Sequence, residues 1–119
     1  MKKLLSLLAV IAIFSSCYNQ FNEPVAARPD KLIHPDTMVL ILVDMELTES
    51  VLVHKRNYGF ELGDQPEVFF HSIFKKYNVN RAQFDSSMAY YKGDIETMNK
   101  IYEDVITRLS VMHSEAQME

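Results

Sequence analysis

Apolar side chains recur at helical spacing along most of the chain after residue 36, and this spacing predicts four helices. The first runs from about Thr37 to Tyr58, and its apolar residues cover most of the helix circumference, as expected of a central helix. The other three have narrower apolar stripes: Phe70, Ile73, Phe74 and Tyr77; Phe84, Met88 and Tyr91; and Met98, Ile101, Tyr102, Val105, Leu109 and Met112. The predicted fold class is all-α, a small bundle of about four helices with antiparallel neighbours.

Polar residues at the expected helix starts support the same division. Asp36 is the expected N-cap of the first helix and Asp94 that of the fourth. Asp64 and Asn80 are each followed three residues later by Glu or Gln, the spacing of a capping box. One alternative stays open at residues 38–43, because such a short apolar run also fits a buried strand. Good helix formers follow it, and this favours a helix.

The first 17 residues have the pattern of a bacterial lipoprotein signal peptide. Lys2 and Lys3 precede an apolar run from Leu4 to Phe14, which is too short for a spanning helix of about 20 residues. The run leads into Phe-Ser-Ser-Cys, which resembles the lipobox, with Phe14 and Ser16 in place of the usual Leu and Gly or Ala. Relaxed lipoboxes of this kind look like those of Bacteroidota. The alternative is an ordinary secretory signal with an incidental cysteine.

Cys17 is therefore the predicted lipidation site, and it is the only cysteine of the chain. Two or three acyl chains such as palmitate anchor a protein durably, since each buried methylene contributes about 0.8 kcal/mol. The predicted division is a signal peptide at 1–16, lipidated Cys17 and a tether at 17–36, a helical domain at 37–113, and a polar tail at 114–119 that frays. The tether could reach roughly 60 Å, and its end at Leu32 and Ile33 is expected to dock on the helices.

Charge limits the partners of the chain. The net charge is -4, and removal of Lys2 and Lys3 leaves 10 basic residues against 16 acidic ones, or -6. This balance argues against nucleic acid, which requires a clustered basic face, and against electrostatic adhesion to anionic lipid. Tyr18 after the cysteine is not the Asp of an inner-membrane retention signal, and no acidic cluster follows it. We expect the periplasmic face of the outer membrane.

Three segments together resemble a known family: Tyr77–Tyr91, Leu40–Met45 and Ile101–Val105. With the lipobox, their order and spacing resemble a Bacteroidota lipoprotein family catalogued as domain of unknown function 4296. The resemblance implies a taxonomic group and a compartment but no activity. The Tyr-x-Val-x-x-x-x-Phe segment at 77–84 also looks like the helical substrate-holding part of envelope chaperones and parvulin-type isomerases, which implies at most a holding activity.

Few residues suggest chemistry. Asp44 interrupts the apolar run of the first helix, so it is either a functional acid with a raised pKa or a carboxylate that faces solvent or bonds a neighbouring helix. Asp36-Thr37-Met38 resembles the Bacteroidota O-glycosylation signal, which makes Thr37 a possible glycan site. The four histidines show no metal-ligand spacing. We predict no catalytic, cofactor or metal site.

Three functions remain open. The preferred one is a non-enzymatic, lipid-anchored accessory protein that binds another envelope protein, and an exposed apolar patch would support it. The second is a tethered holdase for unfolded outer-membrane clients, with methionines and aromatic residues supplying an adaptable surface. The third is a small hydrolase or ligand binder built around Asp44, which would require a concave pocket containing that residue.

Overall fold

The computed structural model describes residues 26–118, and four helices account for most of that range. They are α1 (Pro35–Asn57), α2 (Gln65–Lys76), α3 (Arg81–Lys92) and α4 (Ile95–Met118). Residues 26–118 contain no strand, so the all-α prediction is confirmed, and the strand alternative at 38–43 is wrong. The predicted signal peptide and Cys17 lie outside the described residues.

The core lies between α1 and the other helices. α1 packs against both α2 and α4, and α3 packs against α4, so α1 is contacted on more than one side, as expected from its apolar circumference. The buried apolar residues are Ile33, Met38, Val39, Ile41, Val43, Leu52, Ile73, Phe74, Tyr91, Met98, Ile101 and Val105. Contacts of Lys55 with Gln65 and of Asp44 with Lys76 show that α1 and α2 are antiparallel.

The helix starts agree only partly with the expected caps. α1 begins two residues early: His34 is its N-cap, its ring Nδ1 accepting the Asp36 N–H at 3.4 Å. The prediction of Asp36 as N-cap is therefore wrong, because Pro35 has no N–H and fits the first turn. Asp64 makes no capping hydrogen bond, since its backbone is not in the extended conformation of a usual N-cap.

The other two predicted caps are confirmed. Asn80 accepts the Gln83 N–H at 2.8 Å, and Asp94 accepts the Thr97 N–H at 3.2 Å. The Thr97 hydroxyl also donates to Asp94 at 2.6 Å, and these hydrogen bonds hold the pKa of that carboxyl below its ordinary value. Both helix starts are thus fixed by local side-chain contacts that the sequence shows directly.

The end of the predicted tether is bound to α3. The Ile33 N–H donates to the Ser87 hydroxyl at 3.0 Å, and the Tyr91 hydroxyl donates to the Ile33 carbonyl at 2.5 Å. Ile33 and Tyr91 are buried, and Ser87 is completely inaccessible. This is the docking expected of Ile33, and it satisfies both backbone groups of a residue that belongs to no helix.

α4 departs from its expected packing towards its C-terminal end. Tyr102 and Met112 lie on the predicted apolar stripe but are exposed, whereas Met98, Ile101 and Val105 are buried. The helix continues through residues 114–118, which we expected to fray, and all of these are exposed. Within residues 26–118, no helix is long and apolar enough to cross a membrane.

Candidate functional site

Asp44, the acid singled out in the sequence, joins α1 to α2. The Lys76 ammonium donates to its Oδ2 at 2.7 Å, and the Tyr77 hydroxyl donates to the same oxygen at 2.8 Å. Tyr77 also lies 3.4 Å from the Leu40 carbonyl one turn earlier on α1. The Asp44 side chain retains about a quarter of its exposure, so this cluster lies at the protein surface.

The cluster changes the titration of its two donors. The hydrogen bond to Asp44 is the main cause that raises the pKa of Lys76, because the carboxylate favours the charged ammonium. Burial is the main cause that raises the pKa of Tyr77, and its hydrogen bond to Asp44 adds to the effect. Both donors therefore keep their protons at neutral pH and hold the carboxylate in place.

This arrangement matches the interpretation of Asp44 as a carboxylate that bonds a neighbouring helix. Its Oδ2 accepts hydrogen bonds from two donors, the Lys76 ammonium and the Tyr77 hydroxyl. An exposed ion pair contributes little by itself, but the shared tyrosine hydroxyl fixes its geometry. The cluster can set how α2 lies on α1.

The raised tyrosine pKa values predict a loss of stability in alkali. Burial also raises the pKa of Tyr91, so for both groups the protonated form is favoured in the folded state. Their stabilisation is complete below the ordinary value of 10.0 and is lost as pH rises through the raised values. We expect Tyr77→Phe to reduce the fall in unfolding free energy as the pH rises above 10.0, measured by urea denaturation.

Tyr58→Phe is the control for this measurement, because it removes a hydroxyl from a largely exposed ring. It should leave the pH dependence of the wild-type chain unchanged. If the unfolding free energy of wild type and Tyr77→Phe falls equally steeply above pH 10, the prediction is contradicted, even when one protein is more stable than the other throughout.

Comparison with known families adds the identity of the domain. Residues 29–115 match the family described as "Domain of unknown function (DUF4296)". The chain belongs to this family. The matched range begins before Ile33 and ends inside α4, so the DUF4296 domain includes the docked segment, α1, α2, α3 and most of α4. No curated protein and no solved structure matches the chain.

A second surface feature of the DUF4296 domain was not singled out in the sequence. Leu47 and Val51 of α1 and Phe69 of α2 are exposed, and with Thr48 they line a shallow groove of about 180 Å³. Leu40 is also exposed, and its spacing from the first two puts it on the same face of α1. We call Leu40, Leu47, Val51 and Phe69 the α1–α2 apolar face.

The signal for this face was present but ambiguous. Its α1 residues recur at i, i+7 and i+11, a single line on a helix. Apolar residues occur on nearly every side of α1, so periodicity alone could not show which side would be left uncovered. Only the position of α2 in the structure shows that Leu40, Leu47 and Val51 stay exposed.

Thr37 and the histidines are not among the side-chain partners of Asp44 in residues 26–118. Thr37 is half-buried in the first turn of α1. His54 lies in the last turn of α1, with its ring 4.5 Å from that of Tyr58. His71 lines a cleft of about 740 Å³ between α2 and α3. In residues 26–118 no three His, Cys, Asp or Glu side chains converge as metal ligands.

Proposed function

We propose that this DUF4296 protein is a non-enzymatic, lipid-anchored envelope protein that binds another envelope protein through its α1–α2 apolar face. The observation that carries the proposal is the exposure of Leu47, Val51 and Phe69, at 37%, 51% and 39%, around one groove. Contiguous exposed apolar surface of this kind is typical of interaction sites, whereas single exposed apolar residues need no explanation.

Polar contacts between the two helices lie on both sides of this groove. On one side, Asp44 accepts hydrogen bonds from Lys76 and Tyr77. On the other side, the Lys55 ammonium donates to the Gln65 side chain at 3.1 Å and lies 5.9 Å from the centre of the Phe69 ring. These contacts hold α1 and α2 together in the absence of a partner, so less ordering is needed on binding.

The size of the groove and its mostly apolar lining suit a partner with one or two apolar side chains inside a polar rim. A groove of about 180 Å³ is too small for most small-molecule ligands, which occupy roughly 300–1,000 Å³. Protein interfaces usually have an apolar centre and a polar rim, with few hot-spot residues at the centre. Val51 and Phe69 would be those residues here.

The proposed anchor would confine this face near a membrane. Since Ile33 is bound to α3, at most the 14 residues 18–31 separate Cys17 from the docked segment. Fourteen residues reach at most about 46 Å, less than the 60 Å estimated for the whole tether. A membrane partner with its binding region within that distance of the lipid surface fits this geometry.

The test compares Val51→Lys with Val53→Lys in the native, lipidated protein. Val51 belongs to the apolar face, whereas Val53 is a comparably exposed valine about 200° away on the same helix. After formaldehyde crosslinking in cells, the protein is captured and its partners are identified by mass spectrometry. We expect one dominant partner that is lost with Val51→Lys and Cys17→Ser and kept with Val53→Lys.

Other outcomes would contradict the proposal in distinct ways. A broad set of unfolded outer-membrane proteins would support the holdase instead. Equal loss with both valine variants would show that the apolar face is not the binding site. No captured protein at all would oppose any partner-binding role. Circular dichroism of each variant checks that the helices remain folded.

A further inference from the structure

Within residues 26–118, no other helix covers the C-terminal end of α4. Leu109 is half-buried, and every residue from 110 to 118 is exposed, although the helix continues to Met118. These nine residues make about two and a half turns. Helical segments in proteins draw most of their stability from packing an apolar face, and short isolated ones are marginal in water. We call residues 108–118 the α4 tail. A helix of this kind is expected to be stabilised by packing against a partner.

The tail also carries the apolar stripe that such packing needs. Val105, Leu109, Met112 and Ala116 are separated by four, three and four residues, which is the spacing of a coiled-coil seam. Val105 is buried in the bundle, whereas Met112 is 43% exposed and Ala116 is exposed. The seam thus begins inside the core and continues beyond it.

Two opposite charges flank this seam at equivalent positions. Arg108 and Glu115 are seven residues apart, each directly before a seam residue, and within residues 26–118 neither forms a salt bridge. In an antiparallel pair of identical tails, Leu109 lies opposite Met112, and Arg108 lies opposite Glu115 of the second copy. A parallel pair would instead place Arg108 beside His113 of the second copy.

We propose that the α4 tail is a self-association site, in which two copies of this chain pair their tails antiparallel. The tail is electrically neutral although the whole chain carries a net charge of -4, so its own charges do not oppose the approach of a second copy. Two short tails bury less than the 1,200 Å² or so of a standard interface, which makes the dimer weak and concentration-dependent. This inference does not depend on the proposed envelope partner.

The direction of pairing is tested with single cysteines in the full chain carrying Cys17→Ser, purified in mild detergent. Leu109→Cys and Met112→Cys chains, one with an affinity tag, are mixed and oxidised with glutathione. Antiparallel pairing predicts that the mixed disulfide exceeds both homodimers. Ser114→Cys is the control, because position 114 lies on the opposite side of the helix and should crosslink slowly. Predominant homodimers at either position, or crosslinking no faster than Ser114→Cys, would overturn the proposal.

The charge pairing is tested by exchange, without cysteines. Arg108→Glu or Glu115→Arg alone converts both salt bridges of the dimer into like-charge pairs. Each should raise the dissociation constant roughly 3- to 10-fold at low salt, measured by analytical ultracentrifugation. The double variant Arg108→Glu/Glu115→Arg should return it to within about twofold of the starting value. A double variant as weak as either single one, or a monomer at every concentration, would refute the antiparallel dimer.

Discussion

Ile101→Ala is expected to lower the free energy of unfolding by about 2–5 kcal/mol. Ile101 is 1% exposed and lies on the face of α4 that packs in the core, so the shorter side chain leaves a cavity. A domain of this size has a total stability of about 5–15 kcal/mol, and the loss is therefore a large fraction of it. Urea denaturation followed by circular dichroism measures the change.

Ile106→Ala gives the matched control on the same helix. Ile106 is 63% exposed, and the same truncation there should change stability by no more than about 0.5 kcal/mol. Similar losses for the two variants would mean that α4 does not present the Ile101 side to the core. A large loss at Ile106 alone would indicate that its side is covered in solution.

Tyr91→Phe is expected to cost about 1–3 kcal/mol of unfolding free energy. The substitution keeps the buried ring but removes the hydroxyl that donates to the Ile33 carbonyl. That carbonyl belongs to a buried residue outside the helices, so it loses a partner where water has little access. Urea denaturation gives the magnitude, and Tyr102→Phe, at an exposed tyrosine of α4, should change stability by less than about 0.5 kcal/mol.

A second measurement separates loss of docking from general destabilisation. If Ile33 is held mainly by α3, Tyr91→Phe lets the preceding segment detach locally. Relative to the wild type, the substitution should then accelerate trypsin cleavage after Lys31 more than cleavage after the lysines inside the helices. Uniform acceleration of cleavage along the chain would instead point to global unfolding. An unchanged rate after Lys31 would show that the hydroxyl does not hold the segment.

Local patterns in the sequence were sufficient to predict the helices of this fold. Asn80 and Asp94 gave the starts of α3 and α4 as predicted N-caps, because their capping hydrogen bonds form between close neighbours in the chain. The start of α1 was wrong by two residues, because His34 and Asp36 are both polar and the choice depended on how Pro35 was accommodated. A proline in the first turn favours the earlier start.

The surface features could not be predicted in the same way. The acid Asp44 was recognisable from its place in an apolar run, but its donors lie 32 and 33 residues later. Hydrophobicity also failed to separate Tyr102 from Ile101, which are adjacent on one stripe but differ in exposure. These properties depend on which helix lies beside which, and that is decided by packing over the whole domain.

The docking of Ile33 also determines how the domain responds to mechanical load. A pull on the chain from its N-terminal side reaches the Ile33 hydrogen bonds with Ser87 and Tyr91 before it reaches the first turn of α1. The load therefore passes first into α3, which packs on α4. The face formed by α1 and α2 is not the first structure to be strained, so a domain under tension from that end can keep its apolar groove intact.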